Sequence, residues 1–369
     1  MMDAFVLPNT LAQALQRRAQ QTPDRLALRF LAEDQEQGAV LSYRDLDLRA
    51  RTIAAALQAT AQVGDRAVLL FPSGPDYVAA FFGCLYAGVI AVPAYPPESS
   101  RRHHQERLLS IIADAEPRLV LTSADLREPL LQMDELSATD APQLLCVDTL
   151  DSTAADNWQD PGIEPDDIAF LQYTSGSTAL PKGVQVSHGN LVANEVLIRH
   201  GFGIDVNPDD VIVSWLPLYH DMGLIGGLLQ PIFSGVPCVL MSPAYFLGRP
   251  LRWLEAISEY GGTISGGPDF AYRLCSERNS LPVVSASRAT SPPTAWPRPP
   301  CSSPVANVAR AFPRCVSMRR HWRRIATGAE SRAAGRWQPG HELWHQPART
   351  CGAGGRAKQP AGARRQSRR

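Results

Sequence analysis

The sequence predicts an α/β fold over residues 1–280, parallel-rich sheets with packed helices, followed by an irregular basic segment over 281–369. Three observations carry this expectation. Short apolar, β-branched runs alternate with helical periodicity up to about residue 280, the βαβ grammar of a parallel sheet. Several of those runs are apolar throughout rather than alternating, as strands buried on both faces must be. After Ser280 the alternation stops and composition changes abruptly.

The elements follow in order. "TLAQALQRRAQ" sets Leu11 and Leu15 four apart with charges opposite, an amphipathic helix, and "RLALRFL" reads as a strand. "LSYRDLDLRARTIAAALQA" is helical from an N-cap at Ser42. "RAVLLF", "VIAVPAY" and "RLVLTS" are strands separated by helices. Residues 151–165 form a polar, proline-containing connection. "IAFLQY" and "VIVSWL" are strands, a helix surrounds Gly226, "VPCVLM" is a strand, a helix lies near Trp253, and "GTISGG" closes the series. No internal repeat is present.

Charge divides the chain. Residues 281–369 hold 17 Lys+Arg and 2 Asp+Glu, a net of +15, so of the totals of 36 and 36 the first 280 residues keep 19 and 34, a net of −15. An acidic body argues against a nucleic-acid groove there. Seven scattered cysteines without a CxxC pair fit a reduced, cytoplasmic protein better than a disulfide framework or a zinc site. The first residues lack a basic stretch followed by an apolar core, so no signal peptide is expected. Two uncharged runs, 77–97 and 222–248, are long enough to cross a bilayer. Each breaks at Gly or Pro and resumes as a short strand-like run, so buried helix feeding buried strand is the expected reading.

Residues 281–369 contain one isoleucine, Ile325, and four tryptophans among Arg, Pro, Ala, Ser and Gly. So few aliphatics cannot offset the entropy of ordering, and a disordered tail is expected. A basic tail on an acidic partner, a low-complexity linker and a shifted reading frame in a GC-rich gene all produce such composition. The abrupt change and the excess of Trp favour the shifted frame.

The chemistry concentrates in "YTSGSTALPKGVQVSHGNL", residues 173–191. A P-loop requires GxxxxGK[ST], but here Pro181 precedes Lys182 and Gly183 follows it, so this is not a P-loop NTPase. What remains is a strand, a hydroxyl-rich turn, a lysine, the short strand "VQV" and a helix capped by Ser187. Thr174, Ser175, Ser177 and Thr178 can donate O–H bonds, Gly176 allows close backbone approach to phosphate, and Lys182 supplies a point charge.

"YTSGSTALPKGV" resembles the signature of the adenylate-forming superfamily, which includes acyl-CoA synthetases, peptide-synthetase adenylation domains and luciferases. "SWLPLYHDMGLIGG", residues 214–227, resembles its next core motif. "GGPDFAYRLC", "AVPAYPP" and the helix "RRHHQERLLSIIADAEPRLVLTS" resemble the fatty acyl-AMP ligase branch. The resemblance covers about residues 5–280 and implies a partial AMP-binding N-terminal domain over 1–280, with 281–369 as a tail.

By this resemblance Thr174, Ser175, Gly176, Ser177, Thr178 and Lys182 hold the phosphates of ATP. Lys182 and His220 are the catalytic candidates, His220 standing where nucleotide and acyl pockets meet. Asp221 fixes the turn. Trp215, Met222, Gly226 and Gly227 line or shape the acyl pocket, with core packing the alternative for each. Gly266 and Gly267 end a strand at the sheet's C-terminal edge, where α/β ligands bind. His188 reads as a solvated helix-start residue. No protein metal ligand is expected; ATP and Mg²⁺ are the implied cofactors, a fatty acid the substrate and a carrier-protein phosphopantetheine the acceptor, with coenzyme A the alternative. The resemblance also leads one to expect, after the Gly266 block, an adenine-stacking "YG-aromatic-E" motif, a ribose aspartate and a second lysine. None is recognisable in 281–369, so an inactive, frame-shifted polypeptide is expected. A binding protein using its basic tail on nucleic acid or anionic lipid is the outsider.

Overall fold

Thr10 caps the first helix through its hydroxyl, Ser42 and Asp45 form a reciprocal capping box on the second, and Ser187 and Asn190 form another further on. The computed structural model describes residues 7–32, 38–95, 102–139, 141–174, 182–204 and 209–278. In chain order it contains α1 (Leu11–Gln21), β1 (Leu26–Leu31), β2 (Ala39–Ser42), α2 (Tyr43–Gln58), β3 (Arg66–Leu69), α3 (Pro75–Ala87), β4 (Ile90–Pro93), α4 (Arg102–Ala115) and β5 (Leu119–Thr122). Next come α5 (Ala124–Leu131), α6 (Asp134–Ser137), β6 (Gln143–Cys146), β7 (Ile168–Thr174), β8 (Lys182–Ser187), α7 (His188–Phe202) and β9 (Ile212–Ser214). A π-helix (Met222–Leu229), α8 (Gln230–Ser234), β10 (Cys238–Met241), α9 (Pro243–Gly248), α10 (Leu251–Glu259), β11 (Ile264–Ser265) and α11 (Asp269–Arg278) follow. The segment 281–369 lies outside the described residues.

Two sheets result, in orders β11-β9-β10-β1-β2 and β6-β5-β3-β4-β7-β8. Each is parallel except for one edge strand: β2 runs antiparallel to β1, and β8 antiparallel to β7. The expected α/β class therefore holds. The pairing explains the sequence, since β5 and β10 are buried at every position as interior parallel strands require.

Both long apolar runs are core. Residues 77–87 of α3 are all buried between the sheets' helices and strands, and β4 continues from them. The second run becomes the π-helix, α8 and β10, buried almost throughout. No described helix is long and apolar enough to cross a membrane. The helix expected around Gly226 is present and takes the π form. Its glycines allow close approach, since a Cβ on Gly223 would meet the Pro217 carbonyl oxygen at 2.1 Å and one on Gly227 the Ser214 hydroxyl at 2.8 Å.

Candidate active site

A cleft opens at the carboxyl ends of β4 and β7, the edge at which open α/β sheets bind ligands. Its walls are Pro93, Ala94 and Tyr95 beyond β4, Arg107, Leu108 and Ile111 on α4, Tyr173 near the end of β7, and Tyr219 with His220.

The hydroxyl-rich motif is rooted in a hairpin beside Tyr173, one of the cleft walls. Thr174 pairs with Lys182 across β7 and β8, so the seven intervening residues leave and return at one point of the sheet edge. Ser175, Gly176, Ser177 and Thr178 lie outside the described residues, as does Pro181. Lys182 is exposed at the start of β8. The hairpin root is braced. The Tyr173 hydroxyl donates to the Asp114 carboxylate on α4 at 2.6 Å, and burial, reinforced by that carboxylate, pushes the phenol's pKa up. A Cβ on Gly183 would lie 2.9 Å from the Tyr173 ring, which gives the glycine after Lys182 a steric reason.

The turn carrying His220 is fastened from two sides. Tyr77 of α3 donates its hydroxyl to the Leu218 carbonyl at 2.8 Å, and Gln172 of β7 donates its side-chain amide to the Tyr219 carbonyl at 3.1 Å. The His220 amide closes the turn on the Pro217 carbonyl at 3.1 Å, and the Asp221 carboxylate accepts from the Met222 amide at 2.7 Å. Asp221 thus fixes the turn, as its position suggested. Tyr219 packs edge-on against Tyr95 with ring centroids 5.1 Å apart. His220 keeps an exposed edge, yet crowding by its neighbours, then the Arg107 guanidinium, lower its pKa below the ordinary histidine value, while Asp221 opposes. Its imidazole is therefore mainly neutral near pH 7, able to donate at one nitrogen and accept at the other.

The remaining sequence candidates lie apart from these cleft walls. Trp215 is 3% exposed in an aromatic layer, stacked on Phe246 at 4.0 Å and edge-on to Trp253 and Phe270. Gly267 lies against the Trp215 ring, where its Cβ would come to 3.1 Å, and Gly266 is buried directly after β11. Met222 is half-buried against the same layer, and Gly226 and Gly227 are buried within the π-helix. His188 contradicts its solvated reading: it is 1% exposed, and burial lowers its pKa to about 4. The chain around residue 165 is bonded to the start of α7, with the His188 and Gly189 amides donating to the Asp167 and Pro165 carbonyls at 3.0 and 2.7 Å. Sequence reasoning missed Gln172, Tyr77, Asp114 and Arg107. The only available signal was the facing of Arg107, Leu108 and Ile111 on one side of a helix.

The family described as AMP-binding enzyme matches residues 15–348. A medium-chain-fatty-acid–[acyl-carrier-protein] ligase of Moorena producens is 40% identical over 275 residues, covering 74% of this chain and 46% of the relative. A long-chain-fatty-acid–AMP ligase of Mycolicibacterium smegmatis is 39% identical over 274 residues, covering 72% and 42%. The crystal structure of a fatty acyl-adenylate ligase of Legionella pneumophila, in complex with acyl adenylate and pyrophosphate, superposes with a TM-score of 0.68 at 41% identity, covering 73% of this chain and 46% of that one. The chain thus spans less than half the length of these relatives. With its family match running from the first helix past the whole described fold, the chain belongs to the AMP-binding enzyme family.

Proposed function

We propose that this chain carries the phosphate-binding and acid-binding part of a fatty acyl-AMP ligase, which activates a fatty acid by ATP-dependent adenylation. The observation that carries the reading is the Thr174–Lys182 pairing, which closes the hydroxyl-rich loop next to Tyr173, a wall of the cleft that His220 also lines. The fatty-acid ligase names of its relatives support the substrate class.

The chemistry suits these residues. A fatty carboxylate titrates near ~4–5 and is already ionised at pH 7, so its attack on the α-phosphorus of ATP needs no general base. Pyrophosphate leaves as the acyl–phosphate bond forms. Lys182 neutralises charge on that leaving group, and Thr174, Ser175, Ser177 and Thr178 hold phosphate oxygens through hydroxyl donors. Neutral His220 hydrogen-bonds at the junction of acid and nucleotide, while the Tyr77 and Gln172 bonds keep its turn in position. Magnesium, carried in by ATP, supplies further charge neutralisation on the phosphates. A carrier-protein phosphopantetheine thiol is the proposed acceptor, supported by the acyl-carrier-protein ligase of Moorena producens.

Residues 281–369 lack recognisable groups for adenine, ribose and a second lysine. Removing even one transition-state donor commonly costs about 10²–10³ in rate. We therefore propose that the 369-residue polypeptide binds triphosphate weakly, with little preference among bases, and does not turn over. Radiolabelled fatty acid, ATP and Mg²⁺ are incubated with protein of verified mass, and acyl-AMP is sought by thin-layer separation alongside triphosphate titrations. Acyl-AMP above a Lys182→Ala control overturns the proposed inactivity. Triphosphate affinity untouched by Lys182→Ala overturns the phosphate-loop reading itself.

A further inference from the structure

Arg107 stands out among the half-buried arginines. Arg18 donates to the Phe233 carbonyl at 3.0 Å, Arg51 to Asp47 at 2.9 Å, and Arg66 to the Ala115 and Glu116 carbonyls at 2.8 and 2.7 Å. Arg107 has neither a hydrogen bond nor an ion pair among the described residues, although it is half-buried on the wall of the cleft. Of the acids on α4, Glu106 is the adjacent residue, exposed to solvent, and Asp114 is two turns away and already receives the Tyr173 hydroxyl at 2.6 Å. A guanidinium stays charged at every working pH, and withdrawing it from water without a partner is unfavourable. An unpaired cation of this kind is complementary to an anion that arrives.

The surroundings indicate which anion. Phosphate already has Lys182 and the loop hydroxyls at the hairpin. Arg107 instead sits one residue from Leu108 and one turn from Ile111, which are 3% and 4% exposed, with Pro93, Ala94 and the His220 turn lining the same cleft. A cation beside an apolar wall fits an amphiphile with a carboxylate head, and the guanidinium fork matches a carboxylate in bidentate geometry. We propose that Arg107 is a substrate-binding residue whose guanidinium receives the carboxylate of the acid substrate and holds it in the cleft that His220 also lines. The inference rests on the adenylation reading and adds a specificity residue to it: neutral long-chain molecules are discriminated against by the loss of this contact.

The test measures equilibrium binding of decanoate, decanol and inorganic pyrophosphate to the full 369-residue chain, with wild type, Arg107→Gln and Arg107→Lys compared by calorimetry. Because Arg107 bonds to nothing among the described residues, both variants should keep the wild-type thermal midpoint, which separates lost binding from lost structure. Wild type should prefer decanoate to decanol. Arg107→Gln should weaken decanoate by about tenfold or more and leave decanol and pyrophosphate unchanged, and Arg107→Lys should recover part of the loss. Unchanged decanoate affinity in Arg107→Gln overturns the proposal. So does a loss confined to pyrophosphate, which assigns the cation to phosphate instead. Wild type that binds pyrophosphate but shows no preference for decanoate sinks this inference alone. Wild type that binds neither anion sinks it together with the adenylation reading.

Discussion

The side-chain amide of Gln172 donates to the backbone carbonyl of Tyr219 at 3.1 Å, joining the strand that leads into the hydroxyl-rich loop to the turn that carries His220. The two residues are 47 positions apart in sequence. One residue earlier in the turn, the Leu218 carbonyl is held by Tyr77 at 2.8 Å. Gln172→Leu should cost about 1 kcal/mol in denaturant unfolding, and Tyr77→Phe about 1–3 kcal/mol, because each strands a carbonyl away from water. Histidine NMR titration should show the His220 pKa moving back toward the ordinary value in both variants as the turn loosens from Arg107. An unmoved titration would mean that these bonds stabilise the fold without positioning the imidazole.

Gly183 and Tyr173 form a second coupled pair. The Tyr173 ring cannot swing away from an added Cβ without giving up its bond to Asp114. Gly183→Ala should destabilise by about 1–3 kcal/mol, the range for overpacking. Combining it with Tyr173→Ala should remove most of that additional cost, because the clash partner is gone. Simple additivity in the double variant would place the strain elsewhere.

Two buried titratable groups on α7 give opposite pH dependences. His188 has its folded pKa lowered to about 4 by burial, so unfolding takes up a proton below the ordinary histidine value. Its contribution is complete above about pH 6.5 and is lost as pH falls toward 4, by about 3 kcal/mol in all. Glu195 is fully buried and its pKa is raised by desolvation, so its contribution is complete below the ordinary carboxyl value and declines as pH rises through the folded pKa. Gln230, with its amide nitrogen toward Glu195, donates to the Glu195 carbonyl at 3.0 Å and to the carboxyl, and accepts from Ser234 at 2.6 Å. Unfolding free energies from pH 4 to 8 should show Glu195→Gln gaining on wild type as pH rises, and His188→Gln losing the acid-side decline. Parallel pH profiles in all three proteins would contradict both assignments.

Lys182 is best tested in a longer form that carries the downstream motifs of the family. Lys182→Ala should lower fatty-acid-dependent ATP–pyrophosphate exchange by about an order of magnitude or more, with substrate saturation showing how the loss divides between kcat and KM. Unchanged exchange would remove Lys182 from the leaving-group role.

The coding DNA provides the most economical check on residues 281–369. A single-base insertion or deletion near codons 276–290 should restore, in another frame, a "YG-aromatic-E"-like motif and a downstream aspartate. The family match extends to residue 348, so a genuine divergent segment is the competing outcome. If neither alternative frame encodes those motifs, the shifted-frame proposal ends.

Much of the fold was legible because it rests on local physics. Ser42 and Ser187 bond backbone amides three residues on, within one helical turn, and both caps formed as read. All-apolar runs became strands buried on both faces. The hydroxyl-rich stretch with its lysine was equally plain, since composition and order within a dozen residues define it. The π-helix was not legible, because eight residues cannot separate a period near 4.4 from one near 3.6 when nearly every position is apolar. The same limit applied to His188, where the chain near Pro165 and Asp167 is bonded to the helix start.

From the chain alone came the class of fold, the caps and the loop that suggests phosphate. Folding in three dimensions determined which residues share the cleft. Tyr77 meets Leu218 across 141 positions, Tyr173 meets Asp114 across 59, and Arg107 and His220 come to line one cleft. Motifs are readable when their groups interact within a turn or two of backbone, where covalent geometry sets the distances. A cleft assembled from β4, α4, β7 and the His220 turn depends on strand order and helix packing, and a one-dimensional pattern does not specify those distances.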